Sequence, residues 1–192
     1  MQRSFMLSLS AVVMIYAGNA TADSSHLRGT YGFTGSDACL YASGGFNASH
    51  QALGTTFSTS DAAEGVRRFN GNGTGTFNVR TTSISVPPTI GFLPAASSSE
   101  SSASFTYTVN DDSFTSQNVP GTDKGTVLTG PRAGQTFTVD GVPKATGLIS
   151  ANRHTLTTSI LTPGVETITY SNGDVQHRIC HRSRVYIKLD AD

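Results

Sequence analysis

The sequence predicts an all-β fold: a single antiparallel β-barrel of about eight to ten strands, with a β-sandwich as the alternative. Three observations lead there. No segment keeps a helical period over three turns. Short runs of Val, Ile, Thr, Phe and Tyr recur, separated by turn signals such as Gly71-Asn72-Gly73, Gly130-Pro131, Pro163-Gly164 and Asn172-Gly173. The last run, Val175–Leu189 (VQHRICHRSRVYIKL), alternates with period two between an aliphatic face and a basic one.

The chain opens on a processing signal. Arg3 precedes an apolar run, Phe5–Ala17, too short for a comfortable membrane span, and Ala20-Thr21-Ala22 fits a small-x-small cleavage site. Residues 1–22 are therefore expected to be removed, leaving one domain, 23–192, in a secreted or periplasmic protein. Arg3 is the one charged residue before Asp23, so the remaining chain carries 12 basic and 13 acidic residues. That balance offers no field for nucleic acid or an anionic membrane surface. Cys39 and Cys180 are the two cysteines. In an exported protein they are expected to form a disulfide, which would close a loop spanning most of the domain.

The strands follow in order. Arg28–Thr34 is the first. Ser36–Ala63 is weakly patterned and is expected to form a long loop with a short helix near Ser49–Gly54. Glu64–Asn70 and Thr74–Val86 flank the Asn-Gly hairpin signal. Pro87–Ser102, with three prolines and the run AASSSESS, is expected to be a surface loop. Ala103–Val109 and Ser113–Asn118 flank Asn110-Asp111-Asp112. Lys124–Thr129, Gln135–Val139, Lys144–Ser150, Thr155–Leu161 and Glu166–Tyr170 complete the series before the final strand.

No motif specifies a reaction. The Asn70–Gly75 stretch has amides where a calcium loop needs carboxylates, and it lacks the spacing and Lys of a phosphate loop. His177 and His181 share a strand face but stand about 13 Å apart, too far for one zinc ion. No nucleophile elbow, zinc-protease helix or CxxC is present, so no cofactor, metal or catalytic residue is expected. Arg178, Arg182 and Arg184 lie together with no acid between Asp174 and Asp190. They are too few for a nucleic-acid surface, and on the outside of a strand they exclude insertion as a lipid-facing barrel.

On this reading, Ile179, His181, Val185 and Ile187 face inward. Burying three unpaired arginines costs several kcal/mol per charge, whereas each buried aliphatic side chain gains about 1.5–3 kcal/mol. His177 and His181, with Tyr31, are then the candidate ligand contacts.

Gly29-Thr30-Tyr31 at the first strand and the arginines of the last together resemble the calycin pattern of lipocalin-type barrels. Those place Gly-x-Trp on strand one beneath a cation from the final strand; here Tyr stands for Trp. The Gly29–Phe33 opening and the FNGNGTG hairpin are also similar to small exported bacterial barrels related in shape to allene oxide cyclase and dirigent proteins. The resemblance implies that the first and last strands pair, with Tyr31 near Arg178, Arg182 or Arg184. It also implies a hollow able to hold a small apolar or amphipathic molecule. A cyclase- or isomerase-like barrel and a structural domain with a filled core are the competing expectations.

Overall fold

A computed structural model describes residues 27–86 and 95–189. The expected signal segment 1–22 and Pro87–Pro94 lie outside the described residues. The described residues form eleven strands. These are β1 (Arg28–Ala42), β2 (Thr56–Asn70), β3 (Thr74–Val86), β4 (Ala95–Asn110), β5 (Ser113–Asn118) and β6 (Lys124–Thr129). They continue with β7 (Thr136–Asp140), β8 (Ala145–Ile149), β9 (Thr155–Ser159), β10 (Glu166–Tyr170) and β11 (Val175–Lys188).

All pair antiparallel in one sheet, and the sheet closes: β1-β2-β3-β4-β5-β8-β9-β11 forms a ring of eight because β11 returns to β1. The first and last strands run together from Tyr31 opposite Lys188 to Ala42 opposite His177. Closure satisfies the backbone donors and acceptors that open edges would leave bare.

The five long strands β1–β4 and β11 run the length of the barrel, and two short walls bridge β4 to β11. One wall, β5-β8-β9, joins Phe105–Asn110 of β4 to Ser183–Ile187 of β11. The other, β6-β7-β10, joins Ser98–Ser102 of β4 to Val175–Arg178 of β11. The barrel is thus two stacked tiers sharing five strands. Turn chemistry supports it: Gly71 and Gly73 adopt positive φ (80° and 81°) between β2 and β3, a conformation that costs other residues a Cβ clash.

The lower tier is filled. Phe69 makes edge-to-face contacts with Tyr31, Phe105, Tyr107 and Phe114 at centroid distances of 5.0–5.8 Å. Leu27 and Leu156 are fully buried in the same cluster. Several of these rings lie over glycines across the ladder. A Cβ on Gly75 would stand 2.3 Å from the Phe105 ring, and one on Gly147 2.4 Å from Phe114. The pairs Gly75–Phe105 and Phe114–Gly147 are in register, so each glycine makes the room its partner ring occupies.

Four expectations need correction. Ser36–Ala63 holds no helix: β1 continues to Ala42, β2 begins at Thr56, and Phe46 and Ala52 form an isolated bridge between them. The AASSSESS run is the first half of β4, paired residue by residue with β3. Both segments lack apolar alternation because their inward side chains face a polar interior. The face of β11 is also inverted. Cys180 and Tyr186 are buried, with Arg178, Arg182 and Arg184 on the same face, while Val185 and Ile187 are 46% and 60% exposed. The energetic premise failed because partner acids arrive from other strands: Asp37 stands opposite Arg182 on β1, and Glu166 opposite Arg178 on β10. Finally, the arginines of β11 stand beside Gly35, Asp37 and Tyr41 rather than Tyr31. Tyr31 lies between Lys188 and Arg67 in the ladder and donates its hydroxyl to the Arg153 carbonyl at 2.8 Å.

Candidate ligand-binding lumen

Above the aromatic cluster the barrel encloses a cavity of about 410 Å³, within the size range of small-molecule sites. Strand alternation builds its walls. On β3 and β4, Thr81, Ser83, Ser85, Ser97, Ser99 and Ser101 line it, whereas Ser98, Glu100 and Ser102 do not. The Ser-rich run is therefore a hydroxyl wall. Phe33, Phe77 and Val79 make the lower part apolar, and Tyr41, Phe57, Phe137 and Tyr170 contribute rings from the upper tier. Tyr41 and Phe57 stack at 4.4 Å.

Facing the hydroxyl wall is a band of ion pairs. Glu166, fully buried, accepts from both ends of Arg182, with Nη2 at 2.6 Å from Oε2, and from Nε of Arg178 at 2.8 Å. Asp37 receives Nη2 of Arg184 at 2.9 Å and lies 3.5 Å from Nε of Arg182. Burial alone would raise the Glu166 carboxyl, but Arg182 and Arg178 overcome it and hold it at about 2. Tyr41 hydroxyl accepts from Arg178 at 3.0 Å. The disulfide Cys39–Cys180 is formed and sits within this band, its two residues directly opposite in the ladder.

Two further acids face the lumen without a cation of their own. Asp61, 5% exposed, lies opposite Asp37 and accepts from Thr59 at 3.1 Å. Burial raises its pKa, and the Asp37 charge adds to the rise. Its Oδ2 is 3.6 Å from Cys39 Sγ; a disulfide sulfur carries no proton, so only a protonated Asp61 can donate there. Asp123, 8% exposed, accepts from Asn118 at 3.1 Å, and burial pushes it up to about 6. One oxygen of each, Oδ1, has no hydrogen-bond partner in the protein.

The linkage for Asp123 has a definite sign. Its folded pKa lies above the ordinary 3.8. The folded state therefore holds the proton more tightly, and the stability this confers is complete below about 4 and is lost as pH rises through 6. Asp123→Asn should leave thermal stability unchanged at pH 4 and raise it at pH 8, by up to about 3 kcal/mol at ~1.4 kcal/mol per pH unit. Melting curves showing the same difference at both pH values would contradict this.

None of the three expected ligand contacts lines the cavity. His181 is exposed on the outer face. His177 is half-buried there, its Nδ1 3.3 Å from the Thr167 hydroxyl. Tyr31 belongs to the aromatic cluster. The lumen residues that strand reasoning missed are Asp37, Asp61, Arg67 and Asp123, together with Glu166, which is buried against Arg178 and Arg182. For Asp37 a signal existed: it shares strand parity with Cys39, so the predicted disulfide already put it on one face with Arg178 and Arg182. Comparison with family models, with curated proteins and with solved structures finds no match for this chain.

Proposed function

We propose that this protein is a binding barrel that holds one small amphipathic molecule in its lumen. The observation that supports the reading most is the division of the interior. The lower tier is packed solid with rings, whereas the space above it stays open at about 410 Å³ and is lined by both apolar and polar groups. A domain needing only a filled core would not leave three buried polar atoms without partners, Asp61 Oδ1, Arg67 Nε and Asp123 Oδ1, all on residues that line one cavity. The calycin-like resemblance and the expected export agree with such a role.

A second reading, a barrel enzyme of the cyclase or isomerase type, rests on Asp123. Its carboxyl, pushed up to about 6 with one free oxygen, has the proton affinity of a general base near neutral pH. The same preparation separates the two: a carrier returns its bound molecule unchanged, an enzyme converts it.

The test is titration with the neutral fluorophore Nile red, together with native mass spectrometry of the purified protein. Wild type should bind the probe saturably at one site. Ser99→Phe, which sets a ring into the cavity, should weaken binding at least about tenfold, the effect of losing roughly 1.4 kcal/mol. Folded wild-type protein with no saturable binding would leave the structural role.

A further inference from the structure

Among the described residues, Arg67 is the one lumen arginine without an acidic partner. It projects from β2 where the cavity meets the aromatic cluster, and it is 7% exposed. Its guanidinium lies 3.7 Å from the centroid of Phe105 and 5.3 Å from that of Phe69. Its ladder neighbours are Tyr31 and Phe77. Its hydrogen bond to a side chain is from Nη1 to the Tyr186 hydroxyl at 3.4 Å, and that hydroxyl also lies 3.3 Å from Thr158 Oγ1. No Asp or Glu among the described residues pairs with it, and its Nε has no hydrogen-bond partner.

Stacking on Phe105 compensates the face of the guanidinium. It does nothing for the Nε edge, and a buried charged donor without an acceptor is expensive to keep. The other lumen arginines do not share this condition: Arg178, Arg182 and Arg184 are engaged by Glu166 and Asp37, and Arg132 by Asp174.

Resting on the binding reading above, we infer that Arg67 anchors the acid group of the lumen ligand, which is a monocarboxylic acid with an apolar body. The carboxylate accepts from the Arg67 guanidinium where it borders the cavity, in the forked arrangement that guanidinium and carboxylate favour. Tyr186 and Thr158 lie beside it, and Phe33, Phe77 and Val79 surround the first carbons. A single cation at the floor matches one negative charge; a phosphate monoester would bring a second with no cation to meet it.

The experiment compares dansyl-undecanoic acid with its methyl ester by fluorescence titration near neutral pH. Wild type should bind the acid about 10- to 100-fold more tightly than the ester, as expected for a charge-assisted hydrogen-bonded pair. Arg67→Gln should bring the acid down to the level of the ester, with its circular dichroism spectrum and cooperative melting showing that the variant is folded. Independently of any variant, the Arg67 Nε–H resonance of wild type should shift on adding the acid and not the ester. Equal affinity of wild type for acid and ester, a preference that survives in folded Arg67→Gln, or an unmoved Nε–H resonance would each overturn the inference while leaving a lumen that binds. Failure of both probes to bind wild type would remove the binding reading and this inference with it.

Discussion

Replacing Glu166 by Gln should cost the barrel about 3–5 kcal/mol, the penalty for leaving buried charge without its partner. Glu166 is fully buried and takes hydrogen bonds from both Arg178 and Arg182. Gln keeps the shape and loses the charge, so two guanidiniums in the lumen wall would share Asp37 with Arg184. The melting temperature should fall by roughly 6–20 °C for a domain of this size. Replacing Glu166, Arg178 and Arg182 together by Met should do less harm than the single change, because burying no charge avoids the desolvation cost. The pH dependence carries the same sign. Glu166 is held at about 2 against an ordinary 4.5. Its contribution is therefore present above about 4.5 and drains away as pH falls through 2. A Glu166→Gln protein that melts within about a degree of wild type at neutral pH would refute the account.

Removing the disulfide should cost about as much, by a different route. Cys39 and Cys180 are separated by 141 residues, and a cross-link over so long a loop restricts the unfolded chain by roughly 5 kcal/mol in the chain-entropy argument. The Cys39→Ala/Cys180→Ala protein should keep its β-sheet signature and melt roughly 10–20 °C below wild type. The pair lies directly across the β1–β11 ladder that closes the barrel, so hydrogen exchange should speed up first in these two strands. Equal denaturant midpoints for the oxidised protein and the double variant would show that the bond contributes no stability.

Much of the fold was legible because β-branched and aromatic runs bounded by turn signals mark most of the strands. Thr74–Val86, Ser113–Asn118, Lys124–Thr129 and Glu166–Tyr170 have the observed boundaries, each set by a turn signal on one side or both. The losses fall where the inside of the barrel is polar. Ser36–Ala42, Thr56–Ala63 and Ala95–Ser102 are strands whose inward residues are mostly polar or small, among them Asp37, Cys39, Thr59, Asp61, Ser97, Ser99 and Ser101. Hydrophobic alternation vanishes when both faces are polar, and with it the signal that marks a strand.

The lumen was hidden for a related reason. Weighing β11 alone, aliphatics inward and arginines outward is the lower-energy choice, and it is the wrong one. The deciding charges lie on other strands, Asp37 on β1 and Glu166 on β10, and reach Arg182 only through strand pairing.

The sequence by itself determined the strand class, most turns and the disulfide partners, because these depend on local conformational preference and on covalent chemistry. Tertiary packing alone settled which face of each strand points inward, which arginines are neutralised and which one is left over. Those outcomes depend on the summed electrostatics of side chains that share a wall without being neighbours in the chain, and no single strand carries enough of that sum to decide it.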